Sequence, residues 1–244
     1  MSLLGVHHIG VSVLDLPSSL DRLAGIGFTG PAPERAAGPD ASTGNGIDGV
    51  DMHLAFLRDA TRCIELLAHA RPRVAQPPRP GAAGYEKWTI VDAGSDAPRR
   101  LVAEFDGLPV YREGGPVDGF RVTVHSPDPE ATARLLKALG LEARSASRFV
   151  MNGLLLEVLP VVDGEQAVAP RADDVGRSHL ALQVADLPAA HRALVEAGFE
   201  PISDPLSVGE DFRWLFVRDP GGSGEIELIE DHSVTPVAAH WPEP

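Results

Sequence analysis

Two histidines and two glutamates stand out because they recur. His8 and His179 open two copies of one pattern, and Glu65 and Glu227 lie in its closing apolar runs, Ile64-Glu65-Leu66-Leu67 and Ile226-Glu227-Leu228-Ile229. Two imidazoles and two carboxylates form a mixed nitrogen and oxygen donor set that could hold one divalent ion; it suits Zn, Ni, Co, Mn or Fe and is poor for soft Cu(I). Four protein donors on an octahedral ion would leave two positions for two oxygens of a substrate. Such an ion acts as a Lewis acid toward a developing enolate, and a carboxylate that swings free, Glu65 or Glu227, can take a proton as catalytic base. The pattern fits proton removal beside a carbonyl or carboxylate group.

These residues are positioned by an internal repeat. Residues 8–28 (HIGVSVLDLPSSLDRLAGIGF) lie without a gap on residues 179–199 (HLALQVADLPAAHRALVEAGF), an offset of 179 − 8 = 171. Each copy reads as a short apolar strand, an aspartate cap (Asp15 or Asp186) and a helix with proline in its first turn. Gly27 or Gly198 then ends the helix as a left-handed residue. The second half of the unit also recurs, residues 51–59 (DMHLAFLRD) resembling 211–219 (DFRWLFVRD), and residues 220–224 (PGGSG) signal a hairpin before the last strand. The first copy carries about ten extra residues, placed at 31–49, which read as a long loop of the kind that often forms a lid. A lone strand histidine is more often a packing residue than a ligand; recurrence at equivalent positions reverses that expectation.

A weaker copy occupies residues 118–161, with Glu157 at the glutamate position and Gly119 where the histidine should stand. The organisation expected is therefore a first module at 1–70, a linker with room for a truncated module at 71–117, a degenerate middle module at 118–161 and a last module at 177–232. Within 85–117, Trp88-Thr-Ile-Val91 is strand-like and 97–105 is expected to form a short helix. The Pro- and Gly-rich segments 71–84 and 162–177 read as linkers.

Composition removes several functional classes. Of 244 residues 43% are hydrophobic, enough for a substantial core. A net charge of −14, from 35 acidic and 21 basic residues, would repel nucleic acid and an anionic membrane alike. No secretory signal or membrane span is read, so a cytoplasmic protein is expected. Cys63 reads as a buried structural thiol. His7, next to His8, is expected on the opposite face of its strand. Phe212, Arg213 and Trp214 either line a substrate pocket or are ordinary strand residues.

On these residues the chain resembles the vicinal oxygen chelate superfamily, the glyoxalase, bleomycin-resistance and dioxygenase group. The carrying pieces are residues 8–16 (HIGVSVLDL), 179–187 (HLALQVADL) and 217–228 (VRDPGGSGEIEL). The resemblance implies an α+β fold of repeated βαβββ modules, whose curved mixed sheets wrap a metal held by His8, Glu65, His179 and Glu227. It is most similar to the glyoxalase I and methylmalonyl-CoA epimerase branches, implying a metal-dependent isomerase, epimerase or lyase on a small carbonyl or carboxylate metabolite. An Fe(II) dioxygenase and a metal-free drug- or metabolite-binding protein are the alternatives. Because the weak copy separates the two ligand-bearing copies, three pairings stay open: first with last in one chain, middle with last, or modules exchanged across a homodimer.

Overall fold

Alternating apolar positions turn into strands here, and the capped amphipathic segments into helices that cover one side of them. The computed structural model describes residues 2–71, 81–162, 170–171, 173–234 and 241; most of the first expected linker and half of the second lie outside them. The first repeat runs β1 (Leu3–Ser12), α1 (Leu16–Gly25), β2 (Glu34–Ala37), α2 (Pro39–Asn45), β3 (Asp51–Arg58) and β4 (Cys63–His69). Then come β5 (Gly84–Ala93), β6 (Arg100–Phe105) and β7 (Leu108–Gly115), followed by β8 (Gly119–Ser126), α3 (Pro129–Leu139), β9 (Glu142–Ala143), β10 (Arg148–Met151) and β11 (Leu154–Pro160). The last repeat is β12 (Ser178–Val184), α4 (Leu187–Glu196), β13 (Leu206–Val208), β14 (Phe212–Arg218) and β15 (Glu225–Asp231).

Two curled mixed sheets result, the architecture that the resemblance implies. One has the order β13-β14-β15-β12-β1-β4-β3-β2, the other β6-β7-β5-β8-β11-β10-β9. In the first sheet the first and last repeats meet through β1 and β12 of the same chain. The second sheet joins the middle repeat to a fourth, shortened copy: β5 pairs in parallel with β7 as β1 does with β4, but no helix lies between.

The caps are as the sequence reads them. Asp15, Asp128 and Asp186 accept hydrogen bonds from the backbone N–H of Ser18, Ala131 and Ala189. Leu16, Leu23, Leu187 and Leu194 then pack on Ile9, Ile64, Leu180 and Leu228 in a core that continues into the second sheet through Trp88, Phe105 and Phe120. Among the described residues no helix is long and apolar enough to cross a membrane.

Two sequence expectations need correcting. Residues 97–105 do not form a helix; Arg100–Phe105 is a strand, because Ala103 and Phe105 turn inward at alternate positions. Asp106 and Gly107, both with positive φ (48° and 93°), make the tight turn into β7. Residues 31–49 are not a bare loop either. They hold edge strand β2 and helix α2, and the interval between β2 and β3 accounts for the extra length: residues 38–50 are 13, against 3 for residues 209–211 between β13 and β14.

Asp219 ties the last hairpin to α3. Buried, it accepts bonds from Gly221 N (2.9 Å), Ser223 N (3.1 Å), Thr132 Oγ1 (2.6 Å) and the Ser223 hydroxyl. Replacing it by alanine strands several buried donors, so Asp219→Ala is expected to lower unfolding free energy by about 3 kcal/mol in denaturant titration.

Candidate metal centre

The β1–β12 ladder sets the site. In register, His8 faces Ala181 and Gly10 faces His179. β4 adds in parallel beside β1 with Glu65 opposite Gly10, and β15 adds beside β12 with Glu227 opposite Ala181. Gly10 and Ala181 are equivalent in the repeat, so each glutamate sits beside the small residue two places past its own repeat's histidine. Strand alternation sends Ile9, Val11, Ile64, Leu66, Leu180, Leu182, Ile226 and Leu228 to the helix side, and the four polar side chains to the other. Gly10 is indispensable to the geometry: a Cβ there would overlap the His179 imidazole.

Four consecutive strands thus deliver Glu227, His179, His8 and Glu65 in a row. All four are buried, His8 completely. His8 Nε2 lies 3.1 Å from His179 Nε2 and 3.2 Å from both Glu65 Oε2 and Glu227 Oε2, while His179 Nε2 lies 3.5 and 3.3 Å from the same oxygens. The four donor atoms fall within 4.8 Å of one another. Ligands about 2.0–2.2 Å from a shared ion stand about 3.0–3.5 Å from their neighbours, so the set fits a divalent cation. Electrostatics points the same way. Burial alone would lower His8, but Glu65 and Glu227 outweigh it and raise it to about 9. Burial would raise Glu227, yet the hydrogen bonds with His179 and His8 hold it well below the ordinary carboxylate range. The carboxylates thus favour positive charge beside them.

Aromatic rings wall the two imidazoles. Phe56, paired with Glu65, sets its ring 5.3 Å from His8; Phe216, paired with Glu227, sets its ring 5.3 Å from His179. These two are equivalent in the repeat. Their equivalence is visible in the repeat itself, at an offset of 160 between residues 51–59 and 211–219.

His7 does not face away. The register shifts between Val6 and His8, a β-bulge that cancels alternation for one residue. His7 is therefore buried on the same side, its Nδ1 2.8 Å from His8 Nδ1 and its Nε2 3.0 Å from Asp231 Oδ2. Burial lowers its pKa despite Asp231, whose own carboxyl is held low by the hydrogen bond from His7. No local sequence signal marks the bulge.

Of the three pocket positions, Phe212 and Trp214 face the site, their rings 6.3 Å from His7 and 5.8 Å from Phe216. Arg213 does not. It pairs in register with Glu230, binds its carboxylate at 3.1 Å, and so lies on the helix side, where Glu230 also accepts from Leu187 N at the start of α4. Helix α2 roofs the site side. Its Ala41 packs with Val50, Met52 and Leu67, and at Gly44 it meets Trp214 so closely that a Cβ would overlap the indole. A cavity of about 540 Å³ opens beyond α2, lined by Gly46, Ile47, His69, Arg71 and Arg171 among others; Arg171 also lines a small cleft with Ser12, His179 and Glu225. Cys63 is buried, and burial pushes its thiol up to about 12.

Paired βαβββ repeats here gather two histidines and two glutamates, a donor set that could hold a metal ion, at their shared seam. The chain belongs to the Glyoxalase/Bleomycin resistance protein/Dioxygenase superfamily, whose family model matches residues 5–224. Glyoxalase I from Zea mays is similar in structure, with 14% identity over 94% of this chain and 92% of that one and a TM-score of 0.58. A mutant of the same enzyme reaches a TM-score of 0.60 at 14% identity, covering 93% of each chain. A Streptomyces coelicolor methylmalonyl-CoA epimerase variant aligns at 15% identity over 97% of this chain and 100% of that one, with a TM-score of 0.40. No curated protein matches the chain in sequence.

Two outcomes are expected. Gly10→Ala should displace the His179 ring, lower stability by about 1–3 kcal/mol in thermal unfolding, and weaken metal binding measured by chelator competition. Divalent metal affinity should rise by roughly one decade per pH unit between pH 6.5 and 9, because below its raised pKa His8 holds a proton that the ion must displace. Without added metal the sign for stability is opposite: the contribution of His8 is fully present below its unfolded value of 6.5 and is lost as pH rises through 9.

Proposed function

We propose that this chain is a divalent-metal-dependent isomerase, epimerase or lyase that moves a proton beside the carbonyl or carboxylate group of a small metabolite. The observation that carries the reading is the convergence of His8, Glu65, His179 and Glu227 on one buried point. A divalent ion held there supplies Lewis-acid stabilisation for negative charge developing on a substrate oxygen.

The protein's own groups do the rest. Glu227 and Glu65 come from the two outer strands of the four and flank the histidine pair. A proton taken by one carboxylate and returned by the same group gives isomerisation, and one returned by the other group, from the opposite side, gives epimerisation. Phe56 and Phe216 keep water from the imidazoles, which strengthens every charge interaction in the site. The cavity of about 540 Å³ beyond α2 is of metabolite size. Arg171, half exposed and 3.0 Å from Asp173, lines both that cavity and the cleft at His179, and offers a guanidinium to an acidic substrate group.

The test is solvent exchange. Purified protein loaded in turn with Zn, Ni, Co or Mn is incubated in D₂O with a panel of 2-oxo acids, 2-hydroxy carbonyl compounds and acyl thioesters. Deuterium is expected at the carbon beside the carbonyl, and Glu65→Gln or Glu227→Gln should slow its appearance by about 10²–10⁴-fold. Iron binding with oxygen uptake and no exchange would replace this reading with a dioxygenase. Absence of any bound ion, with ligand affinity unchanged in His8→Ala and His179→Ala, would leave a binding protein.

A further inference from the structure

His7 breaks the symmetry of the site. Its counterpart 171 residues on is Ser178, whose hydroxyl, among the described residues, donates to the carbonyl of His179 at 3.5 Å. His7, by contrast, bridges His8 Nδ1 at 2.8 Å and Asp231 Oδ2 at 3.0 Å with its two ring nitrogens. Two nitrogens 2.8 Å apart must share one hydrogen, and Asp231 decides which of them carries it. A carboxylate only accepts. Its Oδ1 is taken by the Ser233 N–H (2.7 Å) and the Ser233 hydroxyl (2.6 Å), which leaves Oδ2 to His7. His7 Nε2 therefore donates, and in the neutral ring its Nδ1 carries the lone pair. That lone pair accepts from His8 Nδ1–H, so the nitrogen that gives up its proton when an ion binds is Nε2, which faces Glu65, His179 and Glu227.

We propose that Asp231 and His7 form a positioning relay that fixes the Nδ1–H tautomer of His8 and thereby readies its Nε2 as a metal ligand. The inference rests on the metal-site reading above. It assigns a role to the bulge in β1, since only the bulge brings His7 to the same side as His8. It also gives β15 a double part: Glu227 supplies a donor, and Asp231, on the same strand, orients the donor of another.

Asp231→Asn tests the relay because it reverses its polarity. The Ser233 N–H keeps the amide oxygen, so the new NH₂ faces His7 Nε2, which must then accept. His7 Nδ1–H then donates to His8 Nδ1, and the hydrogen on His8 is forced to Nε2. Zn(II) affinity, read by competition with a chromophoric chelator, should fall about 10- to 100-fold. In a His7→Phe background the same substitution should change it no further. In the Zn-loaded unmodified chain, ¹⁵N spectra of labelled histidine should show a hydrogen on His8 Nδ1 and on His7 Nε2, a readout independent of how any variant folds. A bare His8 Nδ1 in that spectrum, or Asp231→Asn binding Zn as tightly as the parent, overturns the relay and leaves the metal site standing. Failure of the parent chain to bind Zn removes both.

Discussion

Everything at the centre of this molecule follows from the antiparallel ladder between β1 and β12. It joins residues 171 positions apart in sequence, His8 and His179, at a separation of 3.1 Å. The ladder is held in register by what lies beneath it, where Ile9, Val11, Leu180 and Leu182 are buried against the helices. A slip of one residue would turn those side chains outward and carry the imidazoles into the core, a change the apolar face forbids. Once the seam is fixed, β4 and β15 have no freedom of their own. Each adds in parallel to its repeat's first strand, and Glu65 and Glu227 arrive beside the histidines as a consequence.

The repeat made most of this readable in advance. A histidine, an aspartate cap, a proline and a terminal glycine at a constant offset specify a strand followed by a helix whatever their neighbours, and the match of Ile64-Glu65 to Ile226-Glu227 located the second half. The structure adds that the first and last repeats pair in one chain, which self-alignment could not choose among its three arrangements. Other features were not legible because their cause is tertiary. The bulge at His7 arises from how β1 must meet β12, so simple alternation put the side chain on the wrong face. For Arg213, left open between a pocket residue and an ordinary strand residue, the deciding information is the register of β14 on β15, which pairs it with Glu230. By contrast the Asp106-Gly107 turn was in plain view, and weighing it above helical composition would have given β6 as a strand.

The middle repeat shows what the architecture is worth without the chemistry. It keeps the capped helix and the parallel pairing of β8 with β11, yet Gly119 stands at the histidine position, and a Cβ there would run into the Gly153 backbone. The fold therefore tolerates loss of the donors. The first sheet buries carboxylates and imidazoles at a cost in desolvation that apolar residues would not incur, a cost that the metal-binding role proposed above would account for.

The distance along the chain between the first and last of the four polar side chains has a consequence during biosynthesis. His8 is made at the outset, Glu227 only 219 residues later, and β12 must leave the ribosome before β1 acquires the partner on that edge. Such a far-reaching contact forms late and slowly. A chain that stops before β12 would present only His8 and Glu65, and one that stops before β15 would still lack Glu227, so the full set of four donors exists only once the final hairpin has been made.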